Sequence, residues 1–155
     1  MNPETLDAVA RAVRDADSVL FVTGAGLSAD SGLPTYRGVG GLYNDADTEH
    51  GLPIEVALSG QVFRQRPDIS WKHIRDIEQA CRGARPNAAH RFMAALEATK
   101  PRVWTLTQNV DGLHRAAGSQ RLIEIHGRIG SLLCTACDWT DEVADCRHLL
   151  PLLSK

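Results

Sequence analysis

The segment SVLFVTGAGLSADSG, residues 18–32, decides the fold, because an apolar run in it ends abruptly at a glycine-rich turn. Residues 18–23 are nearly all apolar, with β-branched and aromatic side chains, which is typical of a parallel strand covered on both faces. Gly24 and Gly26 permit a tight turn and let backbone N–H groups approach a ligand. A helix beginning near Ser28 would direct its positive N-terminus at a diphosphate. The segment therefore predicts the first strand and turn of a ligand-binding sheet.

The turn departs from the dinucleotide-binding pattern G-x-G-x-x-G, because Ala29 occupies the third glycine position. A Gly-x-Gly pair after a strand is a weak signal, so a phosphate cradle and a purely structural turn remain equal alternatives. The pattern also requires an acidic residue at a strand end about 20 positions later. Asp45 and Asp47 fall in a polar loop instead, which disfavours an ordinary Rossmann oxidoreductase.

The rest of the chain alternates between helical and extended patterns. Asn2 and Pro3 predict a capped N-terminal helix, since apolar residues follow them at helical spacing. A mainly helical region is expected around residues 53–97. Apolar runs that predict further strands occupy residues 102–107, 121–125 and 128–134. This alternation predicts an α/β fold: a Rossmann-like, mostly parallel sheet with helices on both faces and a helical insertion.

The composition excludes several classes of protein. The 155 residues fit a single domain with a real core. Lys and Arg number 17 against 19 Asp and Glu, without a basic stripe, so we expect no direct nucleic-acid binding. No run approaches the roughly 18 consecutive apolar residues of a membrane-spanning helix, and the N-terminus is too acidic for a secretory signal. We therefore expect a cytoplasmic protein that binds no membrane, with its oligomeric state left open.

A second informative segment is TQNVDGLH, residues 107–114, which follows a predicted strand and leads into a predicted short helix at 112–117. Ligands of open parallel sheets bind beyond the carboxyl ends of the strands. We therefore expect Gln108, Asn109 and Asp111 at the same edge as the glycine turn. An amide beside a carboxylate can pair with the donor and acceptor of a carboxamide ligand. Asp111 is equally suited to capping the helix that follows it.

A third segment, IEIHG, places His126 just beyond a predicted strand, again at the ligand edge. Its unperturbed pKa of about 6.5 suits proton removal near neutral pH, although a lone histidine is more often structural. The remaining histidines have no comparable setting and are interpreted as structural or surface residues: His50, His73, His90, His114 and His148.

The fourth segment is CTAC, in which Cys134 and Cys137 could supply half of a tetrahedral zinc site. A second pair at a spacing of roughly 15 to 20 residues does not follow. Cys146 and His148 could substitute, but their short, irregular spacing makes this the weaker alternative, and a redox pair is weaker still. Cys81 stands apart and is interpreted as a small buried apolar residue.

In this order, the four segments resemble the sirtuin family of NAD-dependent protein-lysine deacylases. The resemblance extends from Val19 onward, and three long motifs in one order are far more specific than any one of them. The matching segments are residues 24–38, 107–114, 125–127 and 134–137. The resemblance implies a Rossmann-like, NAD-binding part over residues 1–133, and a small zinc module that begins within 134–155 and holds its metal through Cys134 and Cys137.

The resemblance also implies a role for each site residue. Asn109, Asp111 and His126 would act in catalysis, with His126 as the general base. The reaction would transfer the acetyl group of an acetyl-lysine protein substrate to ADP-ribose and release nicotinamide. Ile74 and Ile77 replace a Tyr-x-x-Arg pair of succinyl- and malonyl-specific members, which favours acetyl groups. The residues that would contact NAD are Gly24, Ala25, Gly26, Ser28, Arg37 (in a flexible cofactor loop), Gln108, Asn109 and Asp111.

The sequence departs from the family at its C-terminal end. A second Cys-x-x-Cys pair and the later strands that hold the adenosine half of NAD are absent. Parallel strands without their neighbours would leave an unpaired apolar edge. We therefore expect a truncated or frameshifted sirtuin. The main hypothesis is an NAD-dependent deacetylase, and the alternative is a weak or inactive sirtuin-like module that binds nucleotide or zinc.

Overall fold

The computed structural model describes residues 2–35, 48–143 and 146–147. Its strands form a parallel sheet of order β1-β2-β3 and a separate antiparallel pair, β4 and β5. The strands are β1 (Val19–Thr23), β2 (Val103–Thr107), β3 (Leu122–Glu124), β4 (Ser131–Leu133) and β5 (Thr140–Glu142). The helices are α1 (Pro3–Asp15), α2 (Ala25–Ser28), α3 (Ile54–Ala57), α4 (Gly60–Gln65), α5 (Pro67–Cys81), α6 (Ala88–Thr99) and α7 (Leu113–Ala116). Within these ranges, no helix is both long and apolar enough to cross a membrane.

Helix α1 begins as its sequence predicts. The side chain of Asn2 accepts a hydrogen bond from the backbone N–H of Glu4, 3.0 Å away, and Pro3 occupies the first turn. At the other end, Lys100 Nζ donates to the carbonyl oxygens of Arg14 and Ala16, at 2.6 and 2.8 Å. These bonds satisfy carbonyl groups at the C-terminus of the helix, and so both ends of α1 are capped by side chains.

The register of the sheet aligns the carboxyl ends of its three strands. Thr23 pairs with Thr107, and Thr107 pairs with Glu124. The alignment continues one residue further, since Gln108 N donates to Thr23 O and Ile125 N donates to Thr107 O, both at 3.1 Å. The segments that follow β1, β2 and β3 therefore leave the sheet at one edge.

The two faces of the sheet differ in burial. On one face, Val103, Thr105 and Thr107 are almost completely buried. On the other, Val22 and Trp104 keep 65% and 45% of their surface exposed among the described residues. Parallel sheets normally bury both faces, so the second face presents apolar surface that this fold usually covers. The α/β class and the parallel sheet predicted from the sequence are confirmed.

The predicted helical insertion is also confirmed, as helices α3 to α6. Ile54, Ala57 and Ile69 form a small apolar core within it. Ser70 Oγ donates to the carbonyl of Ala57 at 2.7 Å, which joins α5 to α3. The insertion ends in α6, where Phe92 packs edge-on against Phe21 of β1. The boundaries at residues 133 and 134 stay a prediction.

Two local expectations need correction. Helix α2 begins at Ala25 rather than near Ser28, because Gly24 in extended conformation serves as its N-cap and Leu27 N bonds back to Gly24 O. The strand expected at 128–134 is limited to β4, because its first residues form a turn in which Ser131 N donates to Arg128 O at 3.0 Å.

Candidate functional site

A hydrogen-bond network joins the glycine turn to the TQNVDGLH segment. Ser28 Oγ donates to Asp111 Oδ2 at 2.6 Å. Asn109 Nδ2 donates both to Ser28 Oγ, at 3.1 Å, and to the carbonyl oxygen of Gly24, at 3.0 Å. Ser28 and Asn109 are buried. The structure therefore brings together the predicted residues of two segments that lie more than 80 positions apart.

Asp111 caps the helix that follows it and also binds the glycine turn, while its pairing with a carboxamide ligand stays a prediction. Its Oδ1 accepts a hydrogen bond from the backbone N–H of Leu113 at 2.9 Å, at the start of α7, while its Oδ2 accepts the Ser28 hydroxyl. Gly112, between these residues, has φ +73°, a conformation that glycine adopts without strain. The carboxylate is consequently fixed in orientation from two sides.

The glycine turn leaves open space next to its backbone. A Cβ added to Gly24 or Gly26 would meet no other atom within 4 Å. Asn87, the N-cap of α6, also holds the turn, because its Nδ2 donates to Leu27 O at 2.7 Å. Open space beside the backbone of a firmly held glycine turn fits a phosphate-bearing ligand.

A cavity opens beside this network. Its polar lining comes from Ser28, Asn109 and Asp111, and its apolar walls include Leu33, Ile77 and Cys81. A mostly apolar cavity with a few convergent polar groups is typical of a small-molecule site. Cys81 has no signal in the sequence that marks it as part of this site, although Ile77 and Cys81 lie four positions apart on α5 and so share one face. Burial raises the pKa of the Cys81 thiol to about 11, so the thiol stays protonated at neutral pH.

His126 lies at the same edge but outside the network. It follows β3 by two residues, and Gly127, with φ +72°, turns the chain directly after it. Its imidazole is exposed, as is the side chain of Gln108. The nearby Glu124 is held by Arg115, whose Nε and Nη2 both donate to Glu124 Oε2, at 2.9 and 2.6 Å. The end of β3 is therefore anchored while the imidazole remains accessible.

Two buried histidines contact Thr23 and Asn87, residues that adjoin or bind the glycine turn. His114 Nε2 lies 2.9 Å from Thr23 Oγ1, the last residue of β1, and its ring packs edge-on against that of His90. His90 Nδ1 lies 2.9 Å from Asn87 Oδ1. Burial lowers the pKa of both imidazoles, and the proximity of His90 lowers that of His114 further. Both histidines are therefore buried and in contact with each other, and no local sequence pattern marks them as a pair.

The cysteines do not form a complete metal site in the described part of the chain. The N–H of Ala136 donates to Cys134 Sγ at 3.4 Å, and this bond is the largest of the effects that lower the Cys134 pKa. Cys146 lies elsewhere, with its N–H donating to Glu78 Oε1 at 3.2 Å. Among residues 2–35, 48–143 and 146–147, no group of three or more His, Cys, Asp or Glu residues could hold a metal. Zinc at Cys134 and Cys137 stays a prediction.

Some predicted residues lie outside the described ranges. Arg37, assigned to the cofactor loop, is one of them, together with Asp45, Asp47 and His148. The other predicted NAD contacts all belong to the segments after β1 and β2. The structure therefore brings Ser28, Asn109 and Asp111 into direct contact and leaves Gln108 and His126 accessible beside them.

A parallel sheet with a glycine turn and an amide–carboxylate network at its carboxyl edge is typical of α/β proteins that bind a ligand at this edge. Comparison with known proteins makes this class specific. The model of the Sir2 family matches residues 24–150, and the chain therefore belongs to the Sir2 family.

Individual relatives and structures agree with this assignment. The chain is 60% identical over 130 residues to NAD-dependent protein deacylase 2 of Pseudomonas syringae pv. tomato, an alignment covering 83% of this chain and 52% of the relative. A Sir2 homologue–NAD complex is 35% identical with a TM-score of 0.74, covering 90% of this chain and 52% of that one. A Sir2 structure with a deacetylated p53 peptide and 3′-O-acetyl ADP-ribose is 27% identical with a TM-score of 0.80, covering 94% and 56%. The chain spans about half the length of the curated relatives it matches.

Proposed function

We propose that this chain carries the nicotinamide side of the active site of an NAD-dependent protein-lysine deacetylase. The reaction transfers the acetyl group of an acetyl-lysine to ADP-ribose and releases nicotinamide. The observation that carries the proposal is a set of hydrogen bonds, in which Ser28 binds Asp111 and Asn109 binds both Ser28 and the glycine turn. These three side chains form the polar lining of a mostly apolar cavity. The name of the Pseudomonas syringae relative and the ligands of the two Sir2 structures support it.

The glycine turn and Asp111 have distinct tasks in this proposal. Gly24, Ala25 and Gly26 present open backbone to the diphosphate, since no atom lies where a Cβ of either glycine would stand. Asp111 is already fixed by two donors, so it can orient a carboxamide or a ribose hydroxyl without further ordering. Bound NAD supplies the electrophilic anomeric carbon to which the acetyl oxygen adds.

His126 is the general base of the proposal. Its exposed ring stands beyond β3, at the edge where the glycine turn and the Asn109 segment also begin. A neutral imidazole can accept a proton from a ribose hydroxyl near neutral pH. Its loss should therefore reduce turnover more than cofactor binding.

The remaining assignments are part of the same proposal. Cys134 and Cys137 supply two thiolate ligands to a structural zinc ion, since a Cys-x2-Cys turn lets both sulfurs reach one metal. The ionic balance of the sequence and its thiol-rich motif suit a cytoplasmic enzyme that acts on acetylated proteins.

The experiment that tests the function measures nicotinamide release from NAD by the purified chain. Release that requires an acetyl-lysine peptide, and is absent with the same peptide lacking the acetyl group, is the expected result. His126→Ala should lower the rate by about 100-fold or more, as expected for a lost general base. A change in reduced-cofactor absorbance without nicotinamide release would instead indicate an oxidoreductase.

A second candidate function is a non-catalytic nucleotide-binding module. The observation that favours it is that the hydrogen-bond network of Ser28, Asn109 and Asp111 does not include the exposed His126. Saturable ADP-ribose binding without acetyl-peptide-dependent nicotinamide release would support this module and contradict the deacetylase proposal for the 155-residue chain.

A further inference from the structure

Arg128 contacts the turn that presents Asp111. The aliphatic part of its side chain lies over Gly112, so that a Cβ added to Gly112 would stand 3.3 Å from Arg128 Cδ and 3.8 Å from its Cγ. Gly112 directly follows Asp111 and has φ +73°. Arg128 thus covers the backbone that sets the direction of the Asp111 carboxylate.

The other end of Arg128 is held by the β4–β5 hairpin. Its Nη2 donates to Glu142 Oε2 on β5. Glu142 Oε1 accepts a further hydrogen bond from Ser131 Oγ on β4 at 2.5 Å. The Ser131 bond, assisted by the charge of Arg128, lowers the pKa of Glu142. The carboxylate is therefore charged at neutral pH and fixed by both strands of the hairpin.

The backbone directly after Arg128 is hydrogen-bonded to the same two partners, the Asp111 turn and the hairpin. Ile129 N donates to Val110 O at 2.9 Å, within the TQNVDGLH segment. Val143 N donates to Gly130 O at 2.8 Å, directly after β5. A Cβ on Gly130 would stand only 2.6 Å from Val143 O, so this approach requires glycine. The hairpin is therefore connected to the Asp111 turn both by backbone hydrogen bonds and by the side chain of Arg128.

We propose that Arg128 is a positioning residue that couples the β4–β5 hairpin to the cofactor site. Its stem restrains Gly112 and hence Asp111, while its ion pair with Glu142 makes that restraint depend on an intact hairpin. Ion pairs of this exposure contribute little to global stability, so the effect is local. The expected consequence for ligand affinity rests on the proposed function, whereas the restraint itself does not.

Amide hydrogen exchange tests the restraint directly. The N–H groups of Leu113 and Ile129 report on it, since they donate to Asp111 Oδ1 and Val110 O. In Arg128→Ala, exchange of both should accelerate about tenfold with an unchanged denaturation midpoint, because local opening becomes easier. Arg128→Lys keeps the stem and the cation, and should stay within about threefold of wild type. Arg66→Ala, which removes an exposed arginine paired with Asp68, is the matched control and should change neither amide.

Further variants separate the possible outcomes. If Arg128→Ala loses global stability, Arg128→Met and Glu142→Gln remove only the charge pairing and should accelerate both amides by less than the alanine variant does. Unchanged exchange in Arg128→Ala, or equal acceleration in Arg66→Ala, would overturn the proposal.

An ADP-ribose titration measures ligand affinity independently of amide exchange. Failure of the wild type to bind would contradict the proposed function and leave the exchange result on Arg128 intact, while weaker binding by Arg128→Ala, rescued by lysine, would support the coupling.

Discussion

The hydroxyl of Ser28 lies 2.6 Å from a carboxylate oxygen of Asp111, although 83 positions separate the two residues along the chain. This bond is charge-assisted and partly buried, so it holds the glycine turn and the segment after β2 in one arrangement. Ser28 and Asp111 therefore hold each other in position at the candidate site, which reduces the ordering that binding would require.

Loss of this bond should destabilise the chain measurably. Ser28→Ala removes the hydroxyl donor of Asp111 Oδ2. Asn109 Nδ2 also loses Ser28 Oγ as an acceptor and keeps its bond to Gly24 O. Hydrogen bonds to charged groups contribute about 1.5–3 kcal/mol, so we expect the free energy of unfolding to fall by roughly that amount in urea denaturation. Asp30→Asn, an exposed position in the same turn, is the control, and an effect as large as that of Ser28→Ala would contradict the account.

The buried histidine pair should make stability depend on pH. Burial lowers the pKa of His90 and His114 in the folded protein, while unfolded histidines titrate near 6.5. Below about pH 6.5 the unfolded state therefore binds more protons, and stability falls as the pH decreases until the lowered folded-state pKa values are reached. Urea denaturation at a series of pH values from about 8 to 5 measures this loss.

A substitution isolates the pair from other titrating groups. His114→Gln removes one imidazole and its repulsion of a protonated His90, so the decrease in stability between neutral and acidic pH should become smaller. His50→Gln changes an exposed histidine and should leave the pH dependence close to that of wild type. Identical pH profiles for wild type and His114→Gln would show that the pair does not control acid stability.

The sequence predicted the strands and their common edge because each strand is a short apolar run that ends at a polar or glycine-rich segment. Alternation of strands and helices then requires a parallel sheet, and its carboxyl ends must coincide. The Ser28–Asp111 contact follows from that geometry in outline. The signals that predict the short helix at 113–116 and the N-cap at Asn2 also lie in neighbouring residues of the chain, and both predictions are confirmed.

The sequence could not show contacts that depend on packing between distant elements. His90 and His114 meet only because α6 lies beside α7, and neither residue has a local signal. Arg128 reaches Gly112 and Glu142 through a turn that the apolar pattern had assigned to a strand. The predicted start of α2, near Ser28, lies three residues beyond the observed one, because a glycine N-cap has no side chain that would mark the start.

A third prediction concerns Glu97, which binds the backbone directly before β3. Its buried Oε1 accepts hydrogen bonds from the backbone N–H groups of Gln120 and Arg121, at 2.9 and 2.8 Å. Glu97→Ala leaves two amides without this acceptor and should cost about 2–4 kcal/mol of unfolding free energy. Glu97→Gln retains an acceptor oxygen and should cost clearly less. Equal losses in the two variants would contradict a role as hydrogen-bond acceptor.

The exposed face of the sheet gives a fourth prediction. Val22 and Trp104 are largely exposed there among the described residues, so the chain should bind an apolar dye such as ANS. Val22→Thr combined with Trp104→Thr should lower dye fluorescence while changing the free energy of unfolding by less than about 1 kcal/mol. Thr105→Val on the buried face is the control. Unchanged fluorescence in the double variant would show that this face is covered in solution.

We propose that the edge formed by the glycine turn and the Asn109–Asp111 segment binds the nicotinamide side of NAD. Titration of the ¹⁵N-labelled chain with NAD, followed by amide chemical shifts, tests it most directly. We expect saturable shifts concentrated at Gly24, Gly26, Ser28 and Asp111, and a loss of affinity of about tenfold or more in Asn109→Ala, since one lost polar contact is worth roughly 1.4 kcal/mol or more. Absence of saturable shifts, or shifts concentrated away from this edge, would contradict the account.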